Sequence, residues 1–416
     1  MINQIKAILS FIVLISFFIS SCTEDGPNAP SAEQNADNIR DYISKLSYNS
    51  EEMLNYQQTN GLPSERDVLS DSSETIENGD YVTICKNTEY NLRKNFEEVA
   101  ILRPSNGVIW PGALVKGNQS LMDGVPEEIG IDRAPITISV DLPGIGENGI
   151  RTIQNPKLSN VDAAIDSALQ WWNDNAYEEG YVNAANSSYS VSSSYSSKQL
   201  ALDVDLNVEW AAGSVSSQFN FTSDEEKKVV MMVYKQAFYD VRFDRPTSPE
   251  SVFSDQVSLK DVEEVINNSV APAYIKTVTY GRIIMFRMET INSYKSVDVE
   301  GALNYAGGAS VDANVKATYD EILETSSINL VILGGNAEVA TEAISSPGDD
   351  ANTILERVQG VIKGKNAVYS KDNPGVPIGY SVFYLKDNSL AKLGYTTEYK
   401  AKECISTKAT NTVTLF

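Results

Sequence analysis

Histidine does not occur anywhere in the 416 residues. Its absence excludes a Ser-His-Asp triad, a Cys-His dyad and an HExxH zinc site. No spaced carboxylate motif stands in for them, so no catalytic, cofactor-binding or metal site is expected, and an enzyme is not. Positive charge is scarce as well: 33 Lys and Arg stand against 56 Asp and Glu, a formal net charge of -23. Such a surface repels phosphate backbones and anionic headgroups, which argues against nucleic acid as a partner. Cysteine is down to three residues, Cys22, Cys85 and Cys404.

What is present begins at the N-terminus. Lys6 precedes an apolar run from Ala7 to Ile19, followed by Ser20-Ser21-Cys22. The run is short for a membrane span and reads as a secretory signal peptide, residues 1–22. Small residues before Cys22 resemble a bacterial lipoprotein cleavage site, so Cys22 is expected to be the lipidated residue; plain secretion with cleavage nearby is the alternative. Residues 23–36 have the composition of a flexible tether. Export places Cys85 and Cys404 in an oxidising compartment, where they form one disulfide or remain two buried thiols.

Helix and strand signals are mixed along the chain. Residues 37–55 give helical spacing at Ile39, Tyr42, Ile43 and Leu46, with Asp37 as N-cap. Residues 160–177 do the same with Val161, Ile165, Ala168, Leu169 and Trp172, and 350–363 with Ile354, Leu355, Val358 and Val361. In 108–125 a Pro-Gly turn precedes a helix-like stretch. Strands are predicted at 80–92, 134–142, 228–244, 274–290, 328–335 and 376–400. No βαβ rhythm appears, so the class is α+β.

Two stretches stand apart. In LALDVDLNVEWAAGSVSSQFNFTS (200–223), Leu202, Val204, Leu206, Val208 and Trp210 fall on one side of an extended chain. Asp203, Asp205, Asn207 and Glu209 fall on the other. After a turn the alternation resumes with Val215, Phe219 and Phe221. Residues 296–319 repeat the device: Val297, Val299, Leu303 and Tyr305, a turn at 306–309, then Val311, Ala313, Val315 and Ala317. Each arm approaches the 9–11 or so residues of a membrane-crossing β-strand. One reading is two hairpins of a half-buried sheet. The other starts from hydrocarbon, where every backbone N–H and C=O must be paired and only a closed barrel has no edge. Four strands per chain could then span only as part of a ring of many copies. Lipid would meet the apolar faces, and Asp203, Asp205, Glu209, Asp298, Glu300, Asp312 and Lys316 would line the lumen.

The surrounding blocks decide between the readings. IRDYISKLSYNSEEMLNYQ (39–57), WPGALVKGNQSLMDG followed by APITISVDLPG, KQAFYDVRFDRPTSPESVFSD (235–255), YIKTVTYGRIIMFRMET (274–290), INLVILGGNA (328–337) and VPIGYSVFYLKDN (376–388) occur in the order seen in the cholesterol-dependent, or thiol-activated, cytolysins. The chain resembles this family from about residue 39 to about 400. The resemblance implies a membrane attack complex/perforin/cytolysin-like fold: a bent central antiparallel sheet, two segments that are helical at rest and become hairpins on insertion, and an extended β domain. The expected layout is a discontinuous core (37–75, 91–187, 241–281 and 358–387), an extended β domain (76–90 and 388–404), an insertion domain (188–240 and 282–357) and a tail (405–416). Residues 190–221 and 296–319 match the transmembrane hairpins. Gly334 and Gly335 match the glycine pair where the sheet bends as an edge strand is uncovered.

The family's C-terminal β-sandwich, with its Trp-rich loop and Thr-Leu pair for cholesterol, has no counterpart here. None of Trp110, Trp171, Trp172 and Trp210 falls in such a loop. The implied protein is a short, cytolysin-like lipoprotein, exported and held on the cell surface or outer membrane or released from it. It would insert in a target membrane as a homo-oligomer or as a mixed ring with a longer partner. The alternative is a surface lipoprotein that binds or regulates a partner cytolysin without inserting. Cys85 lies in the early strand of the implied β domain and Cys404 in the late one. A bridge between them would add about 4–5 kcal/mol in the chain-entropy model.

Overall fold

The computed structural model describes residues 31–78, 81–102, 108–206, 228–290, 294–334 and 341–408. Cys22, most of the tether, Val208, Glu209, Trp210, Val215, Phe219, Phe221, Gly335 and the tail from 409 lie outside them.

Two strands form the frame: β8 (Lys228–Phe243) and β9 (Ala271–Thr290), antiparallel from Lys228 opposite Thr290 to Arg242 opposite Thr277. Neither alternates, because both of their faces are covered. Val230, Met231, Met232 and Val233 are all buried, as are Ile283, Ile284, Met285 and Phe286. A continuous apolar run is what a sheet covered on both faces demands.

The neighbours of this pair change halfway along. In the distal half β7 (Asn186–Ser193) pairs with β8, and β10 (Ser326–Leu333) with Ile283–Thr290 of β9. The short β11 (Thr341–Ser345) covers the outer edge of β10. In the proximal half β5 (Ile136–Val140) pairs with β8, and β12 (Val376–Tyr384) with Ala273–Gly281 of β9. Strands β3 (Val99–Ala100), β4 (Leu114–Gly117) and β6 (Ile150–Ile153) complete this sheet.

The change of partners falls at Gly281. The register of β8 shifts there, between Ala237 and Tyr239. A Cβ on Gly281 would lie 2.0 Å from the carbonyl oxygen of Gln236. Gly334, just past the end of β10, has φ +85° and would place a Cβ 2.7 Å from the carbonyl oxygen of Gly281. Only glycine fits two backbones this close, one in the left-handed region. Arg282 is buried beside the joint. Its Nε donates to Gln236 Oε1 (2.6 Å) and its Nη2 to the Val361 carbonyl (2.8 Å). Burial pulls the Arg282 guanidinium down to about 10. The Gln236 amide donates in turn to the Ile362 carbonyl (2.8 Å). Both carbonyls belong to the last turn of a helix, Ala351–Ile362, whose orphan acceptors are thereby satisfied.

A second sheet has three strands, β1 (Ser64–Asn78), β2 (Tyr81–Phe96) and β13 (Leu393–Lys408), with β2 central. It begins inside the segment assigned to the core, at Ser64. The sequence reading has no strand there. ERDVLSDSSETIEN carries little apolar alternation, because most of this edge strand is exposed to water on both sides. Cys85 and Cys404 face each other in the β2–β13 register and are joined, S–S 2.06 Å, across 319 residues.

Seven helices of two turns or more, or nearly so, are described: α1 (Ala32–Lys45), α2 (Leu158–Asp174), α3 (Ser197–Asp203), α4 (Leu259–Val265), α5 (Ser296–Ala306), α6 (Ala313–Glu324) and α7 (Ala351–Ile362). The cap of α1 is Ser31, whose side chain accepts from Gln34; Asp37 sits inside the helix and pairs with Arg40. Between the Pro-Gly turn and Met122 the chain forms strand β4 before a single helical turn. Helices α1 and α2 pack with the proximal sheet in the largest core, around Trp110, Trp172, Tyr274 and Tyr380.

The joint gives a direct test. Gly281→Ala should lower stability by about 3 kcal/mol, the upper end for an overpacked site. Gly360→Ala, on open surface within α7, should be neutral or stabilising by up to about 1 kcal/mol. Chemical denaturation midpoints measure both.

Candidate functional site

Where they are described, the alternating segments do not rest as strands. Residues 197–203 form α3, and 296–306 and 313–324 form α5 and α6. For α3 the local reason is a capping box: Ser196 accepts from the Gln199 amide while the Gln199 side chain accepts from the Ser196 amide. The period-two pattern predicted strands, and tertiary packing overrides it.

The segments cover opposite faces of the distal sheet. On one face Leu200, Ala201, Val204 and Leu206 pack with Met231, Val233, Met285 and Val331. Leu202 is also buried, against the main core. On the other face Val299, Ala302, Leu303 and Ala306 of α5 and Ile322 and Leu323 of α6 pack with Val230, Met232, Phe286 and Met288, and α7 joins them. That buried set follows helical spacing, not the alternation. Val297 is therefore 65% exposed and Val315 39%. Ala313 and Ala317 are exposed, and Val311 and Tyr305 are half-buried. Leu202, Val204, Leu206, Val299 and Leu303 are thus hidden, while Val297, Val315, Ala313 and Ala317 are left on the surface.

Polar groups of the same segments tie them to the three-stranded sheet. Asp203 forms an ion pair with Arg66 of β1. Lys94 of β2 donates to Asp205 (2.5 Å) and to the Leu202 carbonyl (2.7 Å). Tyr195 stacks on Tyr399, which stacks on Tyr90, and the Arg66 guanidinium lies 5.7 and 5.9 Å from those two rings. Glu300 of α5 accepts from the Ser193 amide (2.8 Å) and hydroxyl (2.5 Å), joining the second segment to the first. Lys316 pairs with Asp320 on its own helix (2.7 Å). Three of the residues expected to line a lumen, Asp203, Asp205 and Glu300, thus serve as restraints at rest.

Glu403 of β13, beside Cys404, was missed by the sequence reading. Its carboxylate accepts from the Tyr195 hydroxyl, the Ser296 hydroxyl and Lys228 Nζ (3.1 Å). Nothing in a run such as KAKECIS marks one glutamate over another, since its partners lie 107 to 208 residues away. A cleft of about 210 Å³ separates the sheet from the segments, lined by Arg66, Lys86, Asp203, Glu300 and Glu403 among others. Among the described residues no cluster of His, Cys, Asp or Glu could hold a metal ion, and no helix is long and apolar enough to cross a membrane.

A bent antiparallel sheet with helical segments on both faces of one half, beside a long three-stranded sheet, defines the membrane attack complex/perforin/cytolysin-like fold. The structure of listeriolysin O has it too: TM-score 0.75, 25% identity, covering 92% of this chain and 75% of that one. The sequence profile of thiol-activated cytolysins matches residues 38–410, and the chain belongs to that family. Tetanolysin of Clostridium tetani is 35% identical over 381 residues, 91% of this chain and 68% of tetanolysin. Streptolysin O of Streptococcus dysgalactiae subsp. equisimilis is 32% identical over 365 residues, 85% of this chain and 59% of streptolysin O. The chain thus spans about three fifths to two thirds of the length of these relatives.

Burial raises the Glu403 carboxyl, but the hydrogen bonds from Ser296 and Tyr195 and the charge of Lys228 outweigh it and hold the group below the usual carboxylate range. A depressed folded value means that the restraint is complete above the ordinary glutamate pKa of about 4.3 and is lost as pH falls through the folded value. Acidification from pH 7 to about 3 should lower amide protection over 197–206 and 296–306. The loss should be smaller in Glu403→Gln.

Proposed function

We propose that this chain is a pore-forming subunit. Residues 190–221 and 296–319 leave the distal sheet, refold as two hairpins and join those of other copies in a large transmembrane β-barrel. One observation carries the reading. Two segments whose apolar residues repeat every second position are helical over 197–203, 296–306 and 313–324, and the second buries only part of that set and leaves Val297 and Val315 in water. A barrel strand would put all of them on one face. The restraints on Asp203, Asp205 and Glu300 are polar and can be exchanged for water, as residues of a wet lumen require.

The sheet edges support assembly. Among the described residues β7 pairs with β8 and no other strand, while Glu300 holds its Ser193 amide, and β11 covers the outer edge of β10 with few residues. Displacement of β11 would let β10 of one copy pair with β7 of the next, and Gly334, with Gly335 after it, stands where that movement would begin. Export through the signal peptide and lipidation at Cys22 would hold the protein at the cell surface. A longer cytolysin-like partner would supply recruitment to the target membrane. The role is mechanical and not enzymatic.

Because Val297 and Val315 are exposed at rest, arginine there leaves the monomer within about 0.5 kcal/mol of the parent. The same substitution costs about 2–4 kcal/mol per subunit at the bilayer midplane. Val315→Arg, in the middle of its arm, should therefore fold normally and fail to release dye from vesicles, while Val297→Arg, at the interfacial end of its arm, should cost only about 0–1 kcal/mol and still release it. Asp312→Asn, on the lumen side, should release it as the parent does. The assay is run with the chain alone and with a longer homologue. Protection of vesicles from that homologue, with no release of its own, would favour a non-inserting regulator instead. Equal effects from the two faces would overturn the orientation.

A further inference from the structure

The three restraints on Glu403 differ in where they come from. Tyr195 belongs to the first insertion segment. Ser296 is the first residue of α5 and opens the second. Lys228 is the first residue of β8, where the chain re-enters the sheet after the first segment. The carboxylate they share stands on β13, opposite Lys86 of β2 and next to the Cys85–Cys404 bond. Two segments more than 70 residues apart, on opposite faces of one sheet, are thus fastened through a single side chain. Tyr195 and Ser296 converge on the same carboxylate oxygen, Oε1, while Lys228 takes Oε2.

We propose that Glu403 is a common latch, a positioning residue that makes the release of the two insertion segments one event instead of two. When one hydroxyl leaves, the carboxylate can turn toward water, which strengthens the pull of solvent on the whole group and weakens the remaining bond. A charged acceptor makes hydrogen bonds roughly twice as strong as a neutral one, so the latch is tight while intact and fails as a unit. The disulfide beside it keeps β13 in register with β2, so that the acceptor does not drift with the segments it holds. The latch deepens the pore-forming reading and depends on it only for its purpose; the coupling itself is a property of the soluble chain.

Hydrogen exchange of the full-length protein tests it without any membrane. Glu403→Gln should lower protection about tenfold or more in both 197–206 and 296–306 while β12 stays unchanged. Tyr195→Phe and Ser296→Ala each cut one arm; each should lower protection in both segments. Glu300 bonded to Ser193 also joins the segments, so the decisive step is a cycle: in the Glu403→Gln background neither Tyr195→Phe nor Ser296→Ala should have a further effect. Additive effects in that background, or loosening confined to the segment that was cut, would overturn the latch. If Glu403→Gln also loosens β12, the two single-arm variants alone decide, by whether each loosens both segments. Coupled exchange in a protein that never releases dye from vesicles would leave the latch standing and overturn the pore.

Discussion

A helix can bury side chains only at a spacing near 3.6, and a strand only at a spacing of two. Residues 200–206 and 296–319 carry the second spacing and are held in the first form. The rest of the molecule is arranged around that conflict. The distal sheet offers apolar surface to both segments: Met231, Val233 and Met285 on one face, Met232, Phe286 and Met288 on the other. Two methionines stand on each face, Met231 and Met285 on one and Met232 and Met288 on the other, and their flexible side chains fill against helices whose apolar stripe is imperfect. The main core, with Trp110, Trp172 and Tyr380, shares none of those residues and takes only Leu202 and part of Tyr195 from the described parts of the segments, so the proximal half depends little on their staying in place.

The restraints divide the work by chemistry. Apolar contacts against the distal sheet set how well the segments are housed, while ion pairs and hydrogen bonds to the three-stranded sheet set where they are fastened. Exposed ion pairs are weak, so Asp203 with Arg66 fixes geometry more than it adds stability. The half-buried carboxylate of Glu403, with three donors, is of a different order. The same division appears at the bend, where Arg282 and Gln236 fasten α7 through its last carbonyls while the close approach of Gly281 and Gly334 leaves the two halves of the sheet free of intervening side chains.

Much of this could be read from residues alone. Helices over 158–174 and 351–362 announced themselves by spacing, and β8, β9 and β10 by apolar runs without helical spacing. The alternation at 200–223 and 296–319 identified the segments but not their resting form, because a pattern records the faces a segment can present and not the partner it currently has. The family resemblance supplied that form. β1 escaped, since a strand with water on most sides needs no alternation. Glu403 escaped for a related reason: a hydrogen-bond acceptor acquires its meaning from donors brought in by topology. The resemblance marks Gly334 and Gly335 as the hinge and Tyr280-Gly281-Arg282 as a structural segment, but why Gly281 must be glycine follows only from the carbonyl oxygen of Gln236, 2.0 Å from where a Cβ would sit.

The sulfur bond between Cys85 and Cys404 turns most of the chain into a covalent circle, with only the ends hanging outside it. Both insertion segments lie within the circumference. A protease that cut either of them would open the circle without dividing the molecule: the two pieces would still travel as one until a reductant was added. Damage at the parts that must move is in that sense separated from loss of the part that holds them.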